Sequence, residues 1–327
     1  MSERGFFRRA LAWPPLPALV LTVLFIALNR LLTPSFWNPY SMLGFLASNG
    51  PVICVAIGAS IVLLGGGVDL SSGAVLSLVN VVFVSLIGMK TGFWIAAAVA
   101  VGAALAVGAL NGFVVGYLRV NPLIATFATL SMTAGLALWI LPTPSGSAPA
   151  GFVNFYNGFL LGIPTPVYFI VLCAVIWIVV RRTPLGLWVY AVGKNEQKAF
   201  ASGLPVASTK FATFLIGGLM NGIAGLALTG SVSTGDPLIG SPVTMSAIAA
   251  CVIGGVSLMG GEGDMLGAIF GGLFLGLVIT LVLAAHISPF YQDLVSGLII
   301  LLGILGATWL GKKRRQLLFS RQRGSAR

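Results

Sequence analysis

Seven carboxylates and one histidine are all that 327 residues offer for acid–base chemistry. Glu3 lies near the amino terminus, Glu262 and Asp264 share a glycine-rich turn, and Asp293 opens the last apolar run. No HExxH, no GxSxG and no carboxylates paired at fixed spacing are present, so zinc hydrolysis, acyl transfer and glycoside hydrolysis all lack their residues. The stretch "GATWLGKK" from Gly306 approaches a phosphate-binding loop, but it lacks the Ser or Thr that would hold magnesium and falls at the end of an apolar helix. Cys54, Cys173 and Cys251 each sit inside an apolar segment, with no metal spacing and no disulfide framework expected. The chain reads as a protein without catalysis, cofactor or metal of its own.

Asp69 stands apart from the other acids. It lies in "VLLGGGVDLSSGAVLSL", residues 62–78, between two lipid-soluble runs, with three glycines before it and two serines and a glycine after it. An acid in such a break most often accepts hydrogen bonds from the free amides of the helix that follows. Two other roles stay open: lining a substrate path, or holding a coupling proton or ion. A pump's relay needs ionisable groups within the spans, and the expected span interiors contain none. That pattern fits a transporter driven from elsewhere.

The elements that position these residues follow from composition. The chain is 57% apolar and 8% charged, whereas a soluble domain is nearer a quarter charged, so its solvent is a bilayer. The expected fold is an all-α integral membrane protein of about ten spans, near 14–32, 48–66, 72–89, 93–117, 123–141, 163–180, 211–230, 244–260, 265–285 and 291–311. A basic start and apolar first run resemble a signal peptide, but no clear cleavage site follows, so the run is read as a retained span. Residues 1–13 form a cytoplasmic segment, 14–311 the transmembrane domain and 312–327 a basic cytoplasmic tail. Threading the chain this way puts Arg119, the 181–210 loop and the tail inside, and leaves Lys90 and His286 outside. The net charge of +11 therefore follows the positive-inside rule and implies no nucleic acid.

Five spans starting inside and five starting outside match an inverted repeat. The 2–3 connection ("GGGVDLSSG") and the 7–8 connection ("STGDPLIGSP") would then be equivalent. Glycines at four-residue spacing, Gly108, Gly112 and Gly116 and again Gly263, Gly267 and Gly271, predict close helix packing within the chain. In the 181–210 loop, a short helical pattern from Asn195 to Ser202 ends at "SGLP", with Gly203 suited to a left-handed cap and Pro205 blocking continuation. Such a helix suits a groove on a partner, or is an ordinary connection.

Four stretches, "GGGVDLSSGAV", "NGFVVGYLRVNPLIATFATLSMTAGLAL", "AVGKNEQKAFASGL" and "AIAACVIGGVSLMGGEGDMLGAIFGGL", together resemble the membrane permeases of bacterial ATP-binding-cassette importers for monosaccharides, the ribose permease family. The resemblance runs from about residue 45 to 310. It implies a permease dimer, homo- or heteromeric, in the bacterial inner membrane. A separate ATPase binds the ATP and Mg, and a periplasmic or lipid-tethered binding protein delivers the sugar. It also implies a coupling helix at Gly193, Lys194, Asn195, Glu196, Ala199, Ser202 and Gly203. A translocation path or helix break is implied at Gly66, Gly67, Asp69 and Ser71, with Asn111 and Ser246 beside it. This chain departs from the family pattern with Ser246 where aspartate is usual, Glu262 at a commonly basic position, and a third glycine before Val68. Alternative cargoes are branched-chain amino acids, nucleosides or a signalling sugar; a secondary transporter is a more distant alternative.

Overall fold

The computed structural model describes residues 13–285, together with Tyr291, Leu294, Gly297, Leu298 and Leu301. Apart from Trp13 and those five positions, the expected amino-terminal segment, the span at 291–311 and the basic tail lie outside the described residues. So do Glu3, His286, Asp293 and the stretch from Gly306.

The described residues form twelve α-helices and two minimal β-ribbons. In chain order the helices are α1 Leu16–Leu32, α2 Pro39–Leu64, α3 Ser72–Gly88, α4 Phe93–Gly116, α5 Pro122–Ile140 and α6 Ala150–Tyr156. They continue with α7 Thr165–Arg181, α8 Pro184–Lys194, α9 Glu196–Ala201, α10 Val206–Val232, α11 Val243–Ile253 and α12 Met265–Ala284. Helix starts follow capping chemistry: Asn38 and Asn121 accept from the amides of Tyr40 and Leu123, each with proline at the first helical position, and Asp264 accepts from Leu266. Helices α2, α4, α5, α10 and α12 are long and apolar enough to cross a bilayer.

Three spans depart from the expected ones, the simplest being α10, which begins at Val206 rather than 211. Helix α2 begins at Pro39 rather than 48 and runs through Asn49-Gly50-Pro51. Pro51 has no amide for the Ala47 carbonyl, and the buried Tyr156 hydroxyl donates to that oxygen instead, at 3.1 Å. A neighbouring helix thus satisfies the group that the proline frees. The eighth span, expected over 244–260, is a helix only to Ile253. Eleven residues give about 16 Å of helix, roughly half a hydrocarbon core. Before it, residues 236–242 lie along α3 without helix. Gly73, Ser77 and Asn80, on one face of α3, carry this segment: the Thr244 hydroxyl accepts from Gly73 N at 2.8 Å, Ser77 Oγ accepts from Gly240 N at 2.9 Å, and Asn80 Oδ1 from Asp236 N at 2.7 Å. The two connections that the sequence pairs as equivalents therefore meet, with Gly73 so close to the Gly240 carbonyl that a β-carbon there would overlap it.

Helices α2 and α10 pack together at the centre, and each leans on the other half's pair. Helix α2 touches α11 and α12, while α10 touches α3 and α4. The glycine rows serve contacts within the chain: a β-carbon on Gly108 would stand 2.7 Å from the Phe214 carbonyl oxygen, and one on Gly112 2.8 Å from that of Phe211. Gly267 and Gly271 meet the α11 backbone at Gly254 and Ala250, whereas Gly263 lies in the preceding loop against Val256. Helix α1 is tied to α12 by Thr22 and Asn29, which donate to the carbonyls of Phe270 and Leu277 at 2.9 and 3.2 Å.

Candidate functional site

Residues 65–71 leave α2 and return to the protein interior to start α3, forming a strap without helix. Gly65 and Gly67 pack against the Thr213 and Phe214 side chains, and between them Gly66 meets backbone alone. Gly66 has φ +77°, a left-handed conformation that favours glycine, and its α-hydrogen face meets Gly193. At Gly193, next to the end of α8, a β-carbon would overlap the Leu64 carbonyl oxygen. That same oxygen accepts from Gly261 N at 3.0 Å. A β-carbon on Gly260 would stand 2.6 Å from the Gly193 carbonyl oxygen. Three sequence-distant stretches, "GGGVD", "AVGKNE" and "GGEG", thus meet at one junction with no side chain between them.

The second part of the strap is held by side chains. Asp69 is buried; its Oδ1 accepts from Ser71 N at 2.9 Å and Ser71 Oγ at 2.6 Å. Its Oδ2 accepts from Ser72 Oγ at 3.1 Å and Asn221 Nδ2 at 3.4 Å. Asn111 of α4 donates to Ser71 Oγ at 3.0 Å and accepts from Thr129 of α5 at 2.7 Å. Thr126 donates to the Val68 carbonyl at 3.1 Å. Three of the four bonds to Asp69 come from residues 71 and 72, one from a backbone amide and two from hydroxyls, so the carboxylate holds the turn that leads into α3, and Asn221 ties it to α10.

The expected pore set separates here. Gly66, Gly67, Asp69, Ser71 and Asn111 share the strap and its network. Ser246 does not join them: its hydroxyl donates to the Pro242 carbonyl one turn back, at 3.1 Å, and Thr244 supplies the contact to α3. Sequence reasoning passed over Asn221, Thr126, Thr129 and Thr244 because uncharged polar residues fit apolar helices without disturbing their pattern. Only the tertiary contact distinguishes them.

The 181–210 loop is not one short helix in a connection but two helices in succession. Helix α8 turns by 85° from α7 and buries Gly186, Val189 and Val192. Asn195 caps α9 by accepting from Lys198 N at 2.8 Å, and Ala199 is buried. Gly203, at φ +76°, closes α9 as expected. Glu196 pairs with Lys210 at 2.6 Å. Arg181, at the bend between α7 and α8, pairs with Asp264 at 2.8 Å, tying the bend to the start of α12.

Comparison with known proteins accords with this arrangement. The chain is 36% identical to the ribose import permease protein of Bacillus subtilis (strain 168), over 88% of this chain and 91% of that one. It is 30% identical to the ribose import permease protein of Haemophilus influenzae, over 90% and 93%. The L-arabinose transport system permease protein of Escherichia coli (strain K12) is 33% identical, over 90% of each chain. Residues 41–304 match the family described as branched-chain amino acid transport system / permease component, and the chain belongs to that family of multi-pass membrane permeases.

Proposed function

We infer that this chain is the membrane subunit of an ATP-binding-cassette importer for a monosaccharide. A separate ATPase binds ATP and Mg, a binding protein delivers the sugar, and a second permease chain completes the path in the bacterial inner membrane, with both termini cytoplasmic. The sugar assignment is supported by relatives named for ribose and L-arabinose. The contact of Gly193 with Leu64 and Gly66 carries the mechanistic reading.

Closure of the ATPase moves α9 and, through Lys194 and Gly193, the end of α8. Because Gly193 is packed directly on the strap, that motion reaches residues 65–71 with no compressible side chain between. The far end of the strap holds the start of α3 through Asp69 and approaches α11 at Leu70 and Thr244. These helices then rock, and the path changes access. Selectivity resides largely in the binding protein, which accords with a polar interior made mostly of amides and hydroxyls.

The test is uptake into proteoliposomes holding the permease, its ATPase and its binding protein. ATP-dependent entry of a monosaccharide, and not of leucine or a nucleoside, is the expected result. Glu196→Lys and Ala199→Trp should abolish that uptake while the permease stays in the membrane; unchanged uptake would remove the coupling role from α9.

A further inference from the structure

Beside α9 the structure opens a cavity of about 890 Å³, between α8–α9, the start of α10 and the turn joining α4 to α5. Arg119, Lys194 and Lys210 line it, against the single acid Glu196. Lys210 is paired with Glu196, whereas neither Arg119 nor Lys194 has an ion pair among the described residues. Two apolar side chains also line it and remain open to solvent: Phe200 is 65% exposed and Met259 88%. A cationic recess with apolar residues at its edge is complementary to a protein segment that carries a carboxylate beside apolar residues.

Arg119 carries an independent signal. It ends α4 with φ +57°, in a closure where Leu118 N bonds to the Phe113 carbonyl and Val120 N to that of Val114. Glycine is the usual residue in this left-handed position, and any side chain there is strained. An arginine held in a conformation it disfavours, at the wall of a cavity and without an ion pair among the described residues, points to a role for the guanidinium outside the fold.

We propose that this cavity receives an acidic segment of the partner ATPase, with Arg119 pairing a carboxylate of that segment, so that the ATPase grips the permease on both sides of α9. This rests on the reading of the chain as an ATPase-driven permease and adds a contact from the α4–α5 turn, far in sequence from the coupling helix.

The variant Arg119→Gly separates the proposal from a purely structural role. It relieves the left-handed strain, so the thermal midpoint of the permease should hold or rise, while ATPase retention weakens. The permease is co-expressed with its ATPase, purified in mild detergent, and the ATPase-to-permease ratio is followed as sodium chloride rises. About tenfold weaker retention in Arg119→Gly at salt that the wild type tolerates is the expected result, with Arg119→Lys intermediate. Equal retention at every salt concentration, or a parallel loss of thermal midpoint and ATPase, would overturn the proposal. Absence of the ATPase from the wild-type complex would instead overturn the importer reading beneath it.

Discussion

The two ends of the strap use opposite means to hold one short segment. At Gly66 and Gly193 backbone lies on backbone, and the contact exists because side chains are missing. At Asp69 and Ser71 the segment is held by carboxylate, hydroxyl and amide groups from α3, α4 and α10. Dispersion at the first end is steep in distance but indifferent to direction, so one surface can press on another. Hydrogen bonds at the second end are directional and costly to leave unmade inside a bilayer. A segment pushed at one end and anchored at the other is suited to carry displacement inward from the end bearing α9.

Substitutions on either side should break this contrast in different ways. The largest effect belongs to Gly193→Ala, whose new methyl group would overlap the Leu64 carbonyl oxygen. The junction must open, destabilising the fold by at least about 3 kcal/mol, and a thermal melt in detergent should show it. Asp69→Ala comes next, leaving the Ser71 hydroxyl and amide and Asn221 without this acceptor, and Ser72 Oγ with only the residue-69 carbonyl at 3.3 Å. The expected cost is about 2 kcal/mol, falling to about 1 kcal/mol in Asp69→Asn, which keeps one oxygen. If asparagine proved as harmful as alanine, the negative charge rather than the capping geometry would be what matters. Thr129→Val removes the 2.7 Å bond to Asn111 at about 1 kcal/mol, with less than additive loss when combined with Asn111→Ala, since both break one chain of bonds. Smallest is Lys210→Met, which breaks the pair with the half-exposed Glu196 while keeping the apolar stem packed; a stability change within about 1 kcal/mol is expected.

Much of this architecture was legible because bilayer chemistry is written in composition. Helices α3, α4, α5 and α12 fall within a residue or so of their expected limits, and Gly203 caps α9 where the sequence places it. The misses have identifiable causes. Asn49-Gly50-Pro51 looks like a breaker, and only Tyr156, a hundred residues later, makes it tolerable within α2. Helix α11 stops at Gly254–Gly255, although the apolar "VSLM" beyond it continues the hydropathy of a span. Thr244, half a turn before Ser246, makes the contact with α3, and an uncharged threonine in an apolar helix gives no sign of it. Gly193 was legible as part of a coupling stretch, but its contact with Leu64 was not, because nothing local distinguishes a glycine needed for close approach from one needed for a turn.

The Gly66–Gly193 contact is the proposed route by which motion of α8 and α9 reaches the strap. The most direct test is the number of sugar molecules imported per ATP hydrolysed by the reconstituted complex carrying Gly66→Ala. That change places a methyl group 3.3 Å from the Gly193 α-carbon and adds about 1 kcal/mol of left-handed backbone strain at residue 66, so the ratio is read on a variant that a thermal melt shows to be folded. Hydrolysis should continue while the ratio falls steeply. An unchanged ratio, with uptake and hydrolysis both at wild-type levels, would show that the motion travels by another route.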